Sequence, residues 1–214
     1  MIEWHMASLA APLRVVAYPR LRWFALAWLL VYIPVYAYAY GAWHFLFLCN
    51  LGVLTTACGL LIGSPLLLSS QAVAAPVVCL LWLADVGWKL TTGRYLHGGT
   101  AYMWDGTLPL AARVLSLYHA FWPLLLVYCL RTSGYDRRGF LIQVVLATAS
   151  FMAALLIAPR FENINYVFRW QGAAVDQVRP LWHVAIMLGV LIAGVYWPMH
   201  RLLMLSLPAL RPSP

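Results

Sequence analysis

The sequence predicts an all-α polytopic membrane protein, a bundle of six transmembrane helices with two ordered loops at one end. Three observations predict it. Of the 214 residues, 64% are apolar and 9% are charged, where soluble domains carry about 45–50% and about 25%. Six segments are long and apolar enough to cross a bilayer, which takes roughly 20 residues of helix. The period-two alternation of a membrane β-barrel is absent.

Taken in order, the leader Met1–Arg20 carries Ile2, Trp4, Met6, Leu9 and Val15 between prolines and is expected along the membrane interface. The helices are expected near Arg22–Tyr40, Ala42–Ile62, Pro65–Trp88, Thr107–Leu130, Gly139–Ala158 and Leu181–Leu207. The first is too long and too rich in Trp and Tyr for a signal peptide. Links as short as Gly41 and Gly63-Ser64 make the first three helices antiparallel neighbours. Lys89–Gly106 and Pro159–Arg179 are long connections of mixed composition, which reads as ordered caps rather than spacers. No soluble domain interrupts residues 1–214, which read as one integral membrane domain.

An even helix count puts both termini on one side, with Arg14, Arg20, Arg22, Arg131, Arg137, Arg138, Arg201 and Arg211. The other side holds Lys89, Arg94, Arg160, Arg169 and Arg179, with Arg113 just inside a helix. This modest excess favours cytoplasmic termini, in a bacterial inner membrane. The net charge of +8 therefore reads as topology signal and headgroup contact, not nucleic-acid binding. Four cysteines without a Cys-x-x-Cys pair exclude a disulfide-stapled domain.

Polar groups inside a bilayer are costly, so each is a functional candidate. Placed by helical rise, Cys49, Asn50, Cys79, Asp85 and His119 all fall between the outer surface and the midplane. His44 and His183 sit near outer helix ends, and the opposite half is poorer in such groups. Pro123 comes four residues after His119 and strips its carbonyl of a helical partner, predicting a kinked polar notch with Ser116 one turn earlier. Tyr102 and Asp105 in one loop, and Glu162, Asn163 and Asn165 in the other, complete the candidate supporting set. Each residue also fits a purely structural role. Cysteines pack, Asn50 bonds between helices, Asp85 pairs with Lys89 one turn on, and the loop motifs cap the bundle.

Several runs carry a resemblance. They are His-Phe-Leu-Phe-Leu-Cys-Asn at 44–50, Thr-Ala-Tyr-Met-Trp-Asp at 100–105, Leu-Ser-Leu-Tyr-His at 115–119, Gly-Tyr-Asp-Arg-Arg at 134–138 and Glu-Asn-Ile-Asn-Tyr-Val-Phe at 162–168. Together they resemble a family of small prokaryotic membrane-associated proteins without an assigned activity. More distantly, their order is similar to YwaF-type six-helix proteins, which are related to transmembrane lipid acyltransferases and intramembrane lipid hydrolases. That resemblance implies Cys49 as nucleophile and His119 as base. The Pro-Leu-His run typical before the cysteine reads Phe-Leu-Phe here, with His44 displaced.

Three functions are compatible with these residues. The first is lipid acyl transfer or lipid ester hydrolysis by Cys49 and His119, with Asn50, Asn163 or Asn165 orienting the imidazole or an oxyanion. The second is a membrane-embedded metal site drawn from His44, His119, His183, Asp85 and Asp105, although no ligand pair shares one helix. The third is a non-enzymatic lipid- or solute-binding protein, transporter or complex subunit. Membrane lipids are the expected partners, and no cofactor or nucleic acid is implied.

Overall fold

The computed structural model describes residues 15, 16, 18–168 and 180–210. Most of the leader and residues 169–179 of the second long connection lie outside the described residues.

The first helix, α1, runs Pro19–Tyr40, with Pro at its start supplying a pre-set φ. Gly41, at φ 80°, ends it, and a 3-10 turn comes next at Ala42–Leu46. Helix α2 is Leu48–Ile62 and stops at left-handed Gly63. Helix α3, Pro65–Thr92, starts with Ser64 Oγ accepting from the Leu67 amide at 3.4 Å and ends at left-handed Gly93. Then come α4 (Leu110–Leu115), α5 (Tyr118–Ser133) and α6 (Gly139–Leu156). The last crossing is α7 (Pro180–Val190), a π-helical stretch at Leu191–Tyr196, and α8 (Trp197–Ser206). Pro198 explains the π stretch, because its missing N–H disturbs the preceding turn of hydrogen bonds.

The bundle is built around α3, which packs on α2, α5, α6 and α8. Its buried face is small and polar, with Ser69, Ser70, Gln71, Ala72, Ala74 and Ala75, so neighbouring backbones come close. Gln71 Nε2 donates to Ser70 Oγ (3.0 Å) and to Gln143 Oε1 of α6 (3.2 Å), and Gln143 Nε2 donates to the Tyr196 hydroxyl (3.4 Å). These bonds satisfy amides that have no water to turn to. Gly52 lies against Trp122 and Gln71, both of which a Cβ would strike. Gly52→Ala is therefore expected to destabilise the bundle by about 1–3 kcal/mol through overpacking. Thermal unfolding of the purified variant checks this, and an unchanged midpoint contradicts it.

Five helical crossings among the described residues are long and apolar enough for a membrane, and α2 is a sixth, shorter apolar helix. Large apolar side chains such as Trp23, Leu30, Leu80, Leu124, Leu156 and Leu205 face outward. This all-helical architecture is compatible with an integral membrane protein. At the end where the described residues begin and finish, Val16 N donates to Gly63 O (2.7 Å), Tyr135 N to Pro208 O (2.8 Å) and Leu210 N to Tyr135 O (3.2 Å). The loops 93–109 and 157–168 occupy the opposite end.

Three expectations need correction. Ala42–Ile62 is not one helix: residues 42–46 form the 3-10 turn, and extended Phe47 (ψ 134°) separates it from α2. Fifteen residues reach about 22 Å, short of a hydrocarbon core of about 30 Å. The fourth crossing begins at Leu110 and breaks at Ser116–Leu117, just before His119, while α5 runs on through Pro123. There the Ser116 hydroxyl donates back to Ala112 O (3.1 Å) and the amides of Leu117, His119 and Ala120 turn to carbonyls three residues back. The strain of Pro123 is thus taken up one turn earlier than expected. Finally, Asp85 does not pair with Lys89. Lys89 Nζ instead donates to Gly93 O (2.7 Å) and lies over the Tyr95 ring.

Candidate functional site

Because α2 stops short, the space above its first turn is left to side chains of other elements. A cavity of about 520 Å³ opens there, lined by residues of α1, α2, α3, α5, α6, the last crossing and both loops. Its walls are mainly apolar, with Phe47, Leu48, Val78, Leu81, Trp82, Phe151, Met187 and Leu191. The size falls within the roughly 300–1,000 Å³ of small-molecule sites.

Of the expected site residues, Cys49, His119, His44, Asn50, Tyr102 and Asn165 line this cavity. His119 opens α5 just after the break at Ser116–Leu117, so its ring leaves the regular helical path. Its ring is sandwiched between Trp82 (4.9 Å, nearly parallel) and Tyr118 (4.1 Å). Nδ1 lies 2.8 Å from the Ser116 carbonyl. A carbonyl only accepts, so Nδ1 carries the hydrogen, and the neutral ring keeps its lone pair on Nε2. Cys49 is in the first turn of α2, and its thiol donates to Asn50 Oδ1 at 3.7 Å. No hydrogen bond joins Cys49 to His119 among the described residues.

Asn50 is a buried junction. Its Oδ1 accepts from Tyr32 (2.8 Å) and Tyr118 (3.3 Å), and its Nδ2 donates to His44 O (2.7 Å). Asn165 holds the start of α2. Its Oδ1 accepts from the Leu48 amide (3.0 Å), while Nδ2 donates to Leu46 O (2.8 Å) and Ser150 Oγ (2.9 Å). It does so from a left-handed backbone at φ 52°, which asparagine tolerates best after glycine. The Tyr102 hydroxyl accepts from Trp82 Nε1 (2.8 Å), and burial raises its pKa. Burial lowers the pKa of His44, partly opposed by Glu162, whose Oε2 is 3.7 Å from Nδ1.

The other candidates support the cavity from behind. Asp85 is fully buried, and its two oxygens accept from the amides of Leu96 (2.7 Å), His97 (2.8 Å), Gly98 (3.2 Å) and Thr100 (2.9 Å) and from Thr100 Oγ1 (2.6 Å). One carboxylate thereby shapes the loop that supplies His97, Gly99, Thr100 and Tyr102 to the cavity. Ser116 Oγ is 2.5 Å from the Tyr36 hydroxyl. Asp105 is exposed, and the Thr107 hydroxyl and amide hold its carboxyl below the usual range. Asn163 Oδ1 accepts from the Phe168 amide (3.1 Å). His183 Nε2 meets Tyr166 O (2.7 Å), so its position is spent on the second loop. No group of three His, Cys, Asp or Glu side chains among the described residues is arranged to hold a metal ion.

Residue-by-residue reading missed Tyr36, Tyr40, Trp82, His97, Thr100 and Tyr166, all of which line the cavity. A signal existed for the first two: Tyr32, Tyr36 and Tyr40 recur every fourth residue and their rings meet along one face of α1, Tyr32 stacked on Tyr36 (4.1 Å) and Tyr36 tilted against Tyr40 (5.1 Å). No protein-family model, curated protein or solved structure matches the chain.

Proposed function

We propose that this protein is a lipid-handling protein of a bacterial inner membrane, with both termini cytoplasmic and the cavity in the outer half of the bilayer. The observation that carries the reading is the cavity: mainly apolar walls for a chain, with hydroxyl, imidazole, thiol and amide side chains among its lining residues. A cavity of this size takes a single-chain amphiphile. Extraction and mass spectrometry of lipid co-purifying with the protein test this. A stoichiometric single-chain species, lost when Val78 and Leu81 are both changed to Trp to fill the wall, is the expected result. Equal recovery from both proteins refutes it.

A second reading, acyl transfer, is favoured by one specific arrangement. Cys49 and His119 open on the same cavity, and the fixed Nδ1–H leaves Nε2 free to take a proton. In this reading Nε2 accepts the thiol proton as sulfur bonds to the ester carbonyl carbon. The carbon–oxygen bond to the alcohol then breaks, and the alcohol leaves with that proton. Water or a second hydroxyl releases the acyl group from sulfur. The reading requires the thiol to turn from Asn50 towards His119 when substrate enters. Cys49→Ser is expected to abolish a hydroxylamine-sensitive acyl adduct, and His119→Ala to slow its formation about 100-fold or more, with amphiphile binding retained. An adduct that persists in Cys49→Ser rules out Cys49 as the nucleophile.

A further inference from the structure

None of the described residues lining the cavity is an Asp, Glu, Lys or Arg. The acids behind the lining are answered by their own partners: Asp85 by the amides of its loop, and Glu162 by His44, whose Nδ1 is 3.7 Å away. Most polar groups of the lining are also spent on the protein. Asn50 and Asn165 bond to tyrosine hydroxyls and to backbone, and Thr100 Oγ1 donates to Asp85 (2.6 Å). His97 Nδ1 accepts from the Gly99 amide (3.1 Å), so its Nε2 carries the hydrogen and donates to Leu81 O (3.2 Å). His119 differs. Trp82 and Tyr118 cover the two faces of its ring, and Nδ1–H is held by Ser116 O. What the ring has left for the cavity is the edge carrying Nε2. That lone pair has no hydrogen-bond partner among the described residues and is not sealed off by packing.

A lone pair in a mainly apolar, uncharged wall calls for a donor, and a charge brought beside it finds no countercharge there. A carboxylate or phosphate head meets no cation in the lining, and an ammonium head meets no carboxylate. An alcohol supplies the hydrogen without a charge. We infer that the cavity selects an amphiphile whose head is uncharged and carries a hydroxyl, which donates to His119 Nε2. The inference rests on the amphiphile-binding reading and adds the chemistry of the head. With the hydrogen fixed on Nδ1, Nε2 of the neutral ring only accepts, so a hydroxyl is favoured over an ester or ether oxygen at that point. A site built to bond a hydroxyl discriminates against the analogue that lacks it, because the site's own polar atom is then left unpaired. The chain lies along the apolar wall of Val78, Leu81, Met187 and Leu191.

Binding to the full-length protein in nanodiscs tests this with three probes that share one acyl chain: 1-palmitoylglycerol, its phosphate monoester palmitoyl lysophosphatidate, and methyl palmitate. Palmitoylglycerol is expected to bind about tenfold or more tightly than lysophosphatidate, which must bury a charge, and about fivefold or more tightly than methyl palmitate, which has no hydroxyl. His119→Phe keeps a flat ring between Trp82 and Tyr118 but offers no lone pair. It is expected to bring palmitoylglycerol down to the affinity of methyl palmitate while leaving methyl palmitate binding unchanged. His119→Gln, which keeps an acceptor oxygen, is expected to retain part of the preference. Methyl palmitate or lysophosphatidate binding to the wild-type protein as tightly as palmitoylglycerol overturns the hydroxyl-bearing, uncharged head and leaves the binding reading standing. A preference for palmitoylglycerol over methyl palmitate that survives in folded His119→Phe overturns the assignment to His119. Failure of all three probes to bind the folded wild-type protein overturns both readings.

Discussion

Asp85→Ala is expected to lower the thermal midpoint of the purified protein by about 6–20 °C, the equivalent of about 3–5 kcal/mol for a chain of this size. The change deletes the acceptor of five hydrogen bonds, four of them from consecutive or near-consecutive backbone amides of the 96–100 turn. Of the donors, Thr100 is buried while Leu96 and His97 lie in exposed residues, and a buried donor left unsatisfied costs about 1–3 kcal/mol before relaxation. Relaxation means opening the loop to water, so protease cleavage between residues 93 and 109 should rise together with the loss of stability. Binding in the cavity should fall as well, because His97, Thr100 and Tyr102 arrive on that loop. Asp85→Asn keeps one acceptor oxygen and should lie between the two proteins. A midpoint within about one degree of wild type for Asp85→Ala would show that the loop is held by other contacts.

The second large effect is expected at Asn165. Asn165→Ala should cost about 2–4 kcal/mol, from the loss of bonds to the Leu48 amide, Leu46 O and Ser150 Oγ and from strain at φ 52°. Asn165→Gly separates the two causes: it removes the same bonds but accepts the left-handed backbone. It should therefore recover about 1 kcal/mol relative to alanine. The readout is thermal unfolding in one detergent for all three proteins. Equal stability of the alanine and glycine variants would remove backbone strain from the account.

Both predictions concern residues that are conspicuous in the sequence and whose partners are not. Asp85 stands out in an apolar helix, yet Lys89 on the same face is the obvious partner by spacing alone. The bonds it makes, to amides 11–15 residues on, depend on how the chain returns after Gly93. Asn165 likewise acts on a helix more than a hundred residues earlier. The six apolar segments and their order are legible because hydropathy over roughly 20 residues is a local quantity. The broken start of α2 is not, since Ala42–Leu46 carries no Pro and no charge to mark a break and only tertiary partners make the non-helical path tolerable. Helical rise puts Cys49, Asn50 and His119 in the same half of the bundle, with Cys79 and Asp85, and chain order puts Tyr102 and Asn165 in the two loops at that end. Which of the candidates face one cavity, and which brace it from behind, depends on helix rotation, and rise does not report rotation. The Pro123 signal points to the correct region but to the wrong turn, because the Ser116 hydroxyl offers the backbone an easier place to yield.

The shortness of α2 bears on the order in which the chain is assembled. Leu46 O and the Leu48 amide are satisfied by side chains from positions 150 and 165. Those segments are synthesised only after α3 and the fourth crossing are complete. Until they arrive, the start of α2 carries open backbone groups that hydrocarbon does not tolerate. The first three helices are therefore not a self-sufficient unit. This edge is completed only when Ser150 and Asn165 close over it.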